Sequence, residues 1–373
     1  MKKVKICHFI LGFHNGGVEK VIENYFSNMD RTKFELHIVT HIPPDLKKQK
    51  VFENMGFIIH RLSYVQGHKI SKRNLLEYTE LFRNYKFDVV HNHFPENLLP
   101  LFFARNYKIK VRILHSHGDY DNAFAKKSKL VKQIYGIGLK FNTMNATHYF
   151  ACGKRAAETV FGKKNLLKGK VTIVNNAIDI DRFKYNMEQR LKMREELLLG
   201  DSFTLGHVGR YEDVKQKNQK LVLEIFKEVL KDIPDAKLIM LGDGEEHEKI
   251  VKLSEKMGIK ENIIFTGAVP NVPDYLLAMD VFVFPSKFEG FSVATTEAQC
   301  SGLPGVMSDT ISEMDILGMF DALSLNQSVS EWAAAVISKR EFTRRDQSEV
   351  IREKGYDIKL EAKKLEEFYC KCV

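Results

Sequence analysis

The chain has 373 residues, of which 44% are hydrophobic and 28% charged, an ordinary balance for a globular protein that argues against a disordered or low-complexity chain. That length suits two domains, each large enough to bury its own core. A net charge of +9 and a pI near 9.0 favour anionic partners: nucleotide phosphates, an acidic membrane surface or nucleic acid.

Met1-Lys2-Lys3 leads a short apolar run over residues 4–11, interrupted by Lys5 and His8 and followed by His14-Asn15-Gly16-Gly17. With no small-residue cleavage site, the run predicts a first strand rather than a signal peptide, and no other segment is long enough to span a bilayer. Further strands are expected over 36–40, 58–62, 89–91, 111–115, 149–151 and 171–174, with helices over 18–29, 75–84, 131–141 and 154–161 between them. Short apolar strands alternating with amphipathic helices predict a parallel sheet covered on both faces.

A charged stretch around residues 180–200 interrupts the pattern and reads as the linker. A second cycle follows, with strands over 204–208, 237–241, 263–266, 281–284 and 303–307 and helices over 221–230, 246–257, 275–278 and 293–300. Residues 358–369 read as an amphipathic helix with Leu360, Leu365 and Phe368 on its apolar side. The organisation expected is a Rossmann-like domain over 1–185, a second over 186–355, and a terminal helix over 356–373.

The five cysteines, Cys7, Cys152, Cys300, Cys370 and Cys372, have no metal-ligand spacing, and Cys7 and Cys300 lie in apolar surroundings. This predicts free thiols in a reducing, cytosolic compartment. Lysines cluster in the first half, at Lys47-Lys48, Lys126-Lys127 with Lys129 and Lys132, and Lys163-Lys164, which suits a basic face near anionic lipid. No helix-turn-helix or aromatic stacking module accompanies them, so nucleic acid is not the expected partner.

Several strand ends carry chemistry-bearing residues. Gly16-Gly17 opens a helix after the first strand, and its backbone N–H groups can approach a diphosphate. The strand over 111–115 ends in His115-Ser116-His117-Gly118. Val208-Gly209-Arg210 ends the first strand of the second half, with Lys215 and Lys217-Asn218 soon after; an arginine fork and a lysine can neutralise a departing diphosphate without a metal. Lys217 fits by its helix-entry context, Lys215 by its distance from Arg210. Gly267-Ala268-Val269 forms a further turn at a strand end. Glu289 sits on the strand-to-helix turn after Pro285, where it can accept sugar hydroxyls, and Glu297 lies about two turns into the next helix, where it can grip a ribose. Asp119-Tyr120-Asp121 and Asp179-Ile180-Asp181 lack the strand context of a metal site, so no metal and no cofactor are expected.

The run Phe284-Pro285-Ser286 to Glu289-Gly290-Phe291, then Glu297-Ala298 and Gly302-Leu303-Pro304, resembles the donor-site signature of retaining glycosyltransferases of family 4. The resemblance implies the α/β GT-B fold: two Rossmann-like domains facing across a deep cleft, with the last helix crossing back to the first domain. It implies transfer of a sugar from a nucleotide-sugar, a UDP-sugar by preference, to a hydroxyl of a glycan or polyprenyl-diphosphate-linked acceptor. It places the donor on Gly16, Gly17, Arg210, Lys217, Gly267, Val269, Glu289, Gly290, Phe291, Ser292 and Glu297. Catalysis falls to His115, Glu289, Arg210 and Lys217, with His117 and His14 on the acceptor side. Similarity to bacterial capsule and exopolysaccharide enzymes implies a cytoplasmic protein in peripheral contact with the inner face of the plasma membrane. The longer Arg210-to-Lys217 loop departs from the family spacing. A nucleotide-sugar epimerase of the same fold and a catalytically silent binding subunit are the alternatives.

Overall fold

The computed structural model describes residues 2–13, 17–42, 45–63, 70–118, 120, 128–212 and 216–371. Two compact units are present: Met1–Ala177 with Ile358–Val373, and Ile178–Asp357. The chain thus changes unit at 177/178 and 357/358, where the sequence reading sets breaks at 185/186 and 355/356.

In the first unit the strands β1 (Val4–Phe9), β2 (Phe34–Thr40), β3 (Phe57–Arg61), β4 (Val89–Asn92), β5 (Val111–Ser116), β6 (His148–Ala151) and β7 (Val171–Ile173) form one sheet in the order β3-β2-β1-β4-β5-β6-β7. Among the described residues, these neighbouring strands all pair in parallel. The central strands are buried on both faces, as helix-covered parallel strands must be, so they appear in sequence as continuous apolar runs.

The second unit repeats the plan with β8 (Thr204–Val208), β9 (Lys237–Leu241), β10 (Ile263–Gly267), β11 (Val281–Phe284), β12 (Gly305–Ser308) and β13 (Phe320–Leu323), in the order β10-β9-β8-β11-β12-β13. Strand alternation divides its core: Ile239, Leu241, Phe282 and Phe284 pack on one face, Leu238, Met240, Val281 and Val283 on the other. The sequence reading misses β13, because a four-residue edge strand that is only partly buried leaves no apolar run.

Residues 180–200 are not a free linker. They form the helices Ile180–Phe183 and Met187–Glu196, and Ile180, Phe183, Met193 and Leu199 join the core of the second unit. Arg190 and Arg194 fasten the longer helix: both reach Asp280, at 2.5 and 3.3 Å, and both donate to carbonyls of the 277–279 segment. The charge that made the segment look like linker is its anchor.

The C-terminal helix Ile358–Lys371 belongs to the first unit, as the resemblance implies. Ile358, Ala362, Leu365 and Tyr369 enter that unit's core at helical spacing, while Phe368 packs at its margin. Leu360 does not join them and is exposed. Tyr369 reaches furthest, with its hydroxyl 2.8 Å from Nδ1 of His91, and Glu366 pairs with Lys33 at 2.6 Å. Cys7, Cys152 and Cys300 are buried free thiols, and Cys370 is exposed. Among the described residues, no helix is long and apolar enough to cross a membrane.

Candidate active site

In each unit the sequence-adjacent strands diverge on either side of one central strand: β2 and β4 flank β1, and β9 and β11 flank β8. Open parallel sheets bind ligands in the crevice beyond the carboxyl ends of strands at such a point. Among the described residues, Arg210 and Glu289 follow β8 and β11, Gly267 ends β10, and His117 follows β5.

In the second unit the loop after β8 is clamped to the loop after β11. Lys287 N donates to the Gln216 carbonyl at 2.9 Å, Gln216 Nε2 to the Phe288 carbonyl at 2.7 Å, and Asn218 Nδ2 to the Pro285 carbonyl at 3.2 Å. Asn218 takes the left-handed conformation, φ 57°, to start the helix Gln219–Asp232. This backbone lattice brings Lys217 Nζ to 2.7 Å from Glu289 Oε1, an oxygen that also accepts from Ser286 Oγ at 2.5 Å. Glu289 is 9% exposed, and the Lys217 ammonium also lies 4.9 Å from the centre of the Phe284 ring. Of the two lysines considered, Lys217 meets the glutamate; Lys215 lies outside the described residues.

Arg210 is more open to solvent, 47% exposed, and pairs with Glu212 at 2.7 Å. Its backbone is held by Gln219 Nε2, which donates to the Arg210 carbonyl at 2.8 Å. The turns after β8, β9 and β10 touch: Gly209 N bonds to the Leu241 carbonyl at 3.0 Å, and Gly242 N to the Gly267 carbonyl at 2.9 Å. Gly242, at φ 128°, allows this approach, since a Cβ there would lie 2.1 Å from the Gly209 carbonyl oxygen. Val269 packs partly buried against the core beside these turns.

The helix Val293–Cys300 begins at Ser292, which makes no side-chain cap bond, so its first N–H groups are available to an anion. Phe291 stacks on Tyr356 at 5.4 Å, and Glu297 is half-buried. Gly302 ends the segment at φ 66°. Sequence reasoning overlooked His207, a buried β8 residue that bonds to the Val283 carbonyl at 2.9 Å and places Nε2 near the Gly209–Lys217 contact. Burial is the main cause that lowers its pKa to about 4. A lone histidine within an apolar strand gives no signal of this position.

In the first unit His14 and Gly16 lie outside the described residues, and Gly17 starts the helix Gly17–Ser27. His115 and His117 project from the end of β5 as part of a larger set. His8 Nδ1 lies 2.9 Å from His93 Nε2, and His93 Nδ1 lies 2.7 Å from His117 Nε2. A parallel chain runs from Tyr369 through His91, whose Nε2 is 3.0 Å from His115 Nδ1. Two triads of these rings offer nitrogens within 4.8 Å of one another. Contacts of 2.7 to 3.0 Å are hydrogen-bond lengths, whereas two nitrogens on tetrahedral zinc, with bonds of roughly 2.0–2.1 Å, stand about 3.3 Å apart. The set is an imidazole ladder of neutral rings, in which His91 and His93 are bonded through both nitrogens and His8, His115 and His117 through one.

The ladder separates the two histidines of the sequence reading. His117 lines a cavity of about 400 Å³ with His93, Glu19 and Glu96, whereas His115 is 1% exposed and lies behind it.

Residues 15–182 match the family described as Glycosyltransferase Family 4, and residues 189–356 match Glycosyl transferases group 1. The chain belongs to the GT-B glycosyltransferases. It is 29% identical to EpsF of Bacillus subtilis over 371 residues, 95% of this chain and 93% of that protein. It is 25% identical over 312 residues to the Escherichia coli UDP-Gal:alpha-D-GlcNAc-diphosphoundecaprenol alpha-1,3-galactosyltransferase, spanning 82% of this chain and 80% of the relative. The crystal structure of Anabaena HepE in complex with UDP-glucose has the same fold, with a TM-score of 0.77 at 15% identity, covering 98% of this chain and 99% of that one.

Two outcomes follow for this glycosyltransferase. Lys217→Met leaves the Glu289 carboxylate buried without its cation and should cost about 3 kcal/mol. Adding Glu289→Gln should restore part of that loss, so urea unfolding of both single variants and the double variant should give a favourable coupling energy. Burial holds His8 and His117 near 3 and His41 near 4, with His207 similarly low, all from an ordinary value of 6.5. These rings stay neutral in the fold while the unfolded chain binds protons, so their stabilisation is complete above about pH 6.5 and is lost as pH falls toward 4 and below. The urea midpoint should therefore be lower at about pH 5 than at about pH 7.5.

Proposed function

We propose that this enzyme transfers a sugar from a UDP-sugar to a hydroxyl of a lipid-linked glycan in surface polysaccharide assembly, with retention of anomeric configuration. The observation that carries the reading is the Lys217–Glu289 pair, set at the carboxyl ends of β8 and β11 beside the N-terminus of the helix Val293–Cys300. Such a junction suits a diphosphate joined to a sugar: N–H groups and cations for the phosphates, a carboxylate for the hydroxyls. In this reading Arg210 and Lys217 take up the negative charge that grows on the departing diphosphate. Glu289 orients the sugar, with Gly290, Phe291 and Ser292 forming the turn around it. Glu297 holds the ribose, and the Gly267 to Val269 turn receives the base. His117 stands on the acceptor side, with His115 as its support.

The choice of UDP is supported by HepE, whose structure contains UDP-glucose, and the lipid-linked acceptor by the E. coli relative named for GlcNAc-diphosphoundecaprenol. A second observation supports work at an anionic membrane on the cytoplasmic side. The helix Lys129–Asn145 buries Asn142 and Asn145, Asn142 donating to the Pro95 and Asn97 carbonyls at 2.7 and 3.1 Å. Leu130, Ile134, Ile137, Phe141 and Met144 are left exposed, among Lys129, Lys132 and Lys140. Apolar side chains on an outward helix face, interleaved with lysines, suit the interface of an acidic bilayer.

Calorimetry with UDP and GDP, alongside product analysis with UDP-glucose, UDP-galactose and UDP-N-acetylglucosamine, tests the donor. UDP should bind, at least one UDP-sugar should turn over, and Glu289→Gln should lower the turnover by on the order of a hundredfold while UDP affinity changes little. A donor converted to its epimer without an acceptor would mark an epimerase, and no binding of any nucleotide would end the reading. For the membrane face, Ile134→Glu with Ile137→Glu should reduce binding to phosphatidylglycerol vesicles by roughly tenfold or more. Equal retention of parent and variant would remove that helix from the interface.

A further inference from the structure

The cavity in the first unit lies at the carboxyl ends of β1, β4 and β5 and is walled by residues from all three strand ends and from the helix Gly17–Ser27. Its rings are Phe94 and Tyr120; its polar groups are Glu19, His93, Glu96 and His117. Two of these residues keep a buried polar atom without a hydrogen-bond partner among the described residues: Oε2 of Glu96 and Nδ1 of His117. A buried polar atom left unmatched costs roughly 1–3 kcal/mol, so two in one cavity mark a place where a ligand supplies the missing bonds. His117 is fixed from behind, because its other nitrogen is engaged by His93, which is engaged in turn by His8.

We infer that this cavity binds an uncharged sugar ring of the acceptor, and that Glu96 is the residue that selects it, by accepting a hydrogen bond from one of its hydroxyls. The inference rests on the reading of the chain as a UDP-sugar transferase. The chemistry of the wall supports a sugar over a phosphate. Its lining contains two carboxyl side chains and, among the described residues, no lysine or arginine. Apart from the N–H groups at the start of the helix Gly17–Ser27, the described wall offers an anion no positive charge, and its carboxyl groups oppose one. Burial keeps His93 and His117 well below their ordinary protonation range, so they add no positive charge. A pyranose instead presents C–H faces to the aromatic rings and hydroxyls to Glu96 and His117. The volume, about 400 Å³, is that of a small-ligand pocket.

The groups that face Glu96 are Glu19 from the helix Gly17–Ser27, His93 beyond β4, and His117 and Tyr120 beyond β5, with Tyr135 of the helix Lys129–Asn145 stacked on Tyr120 at 5.7 Å. Burial lifts the Glu96 carboxyl to about 7, while it lowers the two imidazoles and raises the Tyr120 phenol. A carboxylate accepts a hydroxyl bond more strongly than its protonated form does, so binding should strengthen as pH rises through about 7.

The test uses the full chain as parent, Glu96→Gln and Glu96→Ala. Each is titrated with methyl glycosides of glucose, galactose and N-acetylglucosamine and with inorganic phosphate at about pH 6 and about pH 8, and UDP affinity is measured on the same samples. At least one glycoside should bind the parent and tighten with pH. It should bind Glu96→Ala roughly tenfold more weakly and bind Glu96→Gln without pH dependence. UDP affinity should be equal in all three proteins, and phosphate should not displace the glycoside. The inference is overturned if no glycoside binds the parent, if all three proteins bind alike, or if phosphate competes. Should Glu96→Ala lose UDP affinity through misfolding, the isosteric Glu96→Gln decides by its pH profile. Failure of the parent to bind UDP while glycosides still bind it would sink the donor reading and leave the sugar site standing.

Discussion

Glu289 is 9% exposed, and an ionised carboxylate taken that far from water requires cations and donors within hydrogen-bond reach. Lys217 and Ser286 meet that need, but both come from loops, and a loop holds a charge in place only if its own backbone is held. The bonds from Gln216, Asn218 and Lys287 perform that task by tying the loop after β8 to the loop after β11. One buried carboxylate thus sets the spacing of two strand ends, the direction of a lysine and the start of a helix.

The sheet order makes this possible. Parallel strands put all their carboxyl ends on one edge, and the reversal of strand order on either side of β8 leaves a crevice there that helices do not fill. Close packing of the turns beyond that edge needs glycine where backbone meets backbone, as at Gly242 over the Gly209 carbonyl. The first unit has the same crevice beside β1, filled by a different solution: histidines from three adjacent strands.

Those histidines illustrate how burial and hydrogen bonding cooperate. Each ring loses the stabilisation that water gives its charged form and remains neutral, and His91 and His93 link their neighbours through both nitrogens. The chain through His91 ends on Tyr369, so the terminal helix is joined to the crevice by a polar contact as well as by its apolar face. The helix Lys129–Asn145 reverses the usual arrangement, with asparagines against the protein and isoleucines toward solvent, because its docking is made through Pro95 and Asn97 carbonyls.

The sequence by itself determined the alternation of buried strands and helices, since strands covered on both faces must be apolar throughout. It also located the loop motif residues after strand ends, because the glycines, Pro285 and Glu289 each interrupt that apolar pattern. It did not reveal β13, whose half-exposed edge position leaves no run, or the anchoring of residues 180–200, whose arginines find their partner at Asp280, far along the chain. Spacing alone could not choose between Lys215 and Lys217, or between His115 and His117. For the lysines, the fold brings Lys217 to Glu289 across 72 residues of chain. For the histidines, β4 and β5 stand side by side, so that His117 reaches the cavity wall and His115 is stacked behind it. Contacts of that kind depend on which strands become neighbours, and only the tertiary structure decides that.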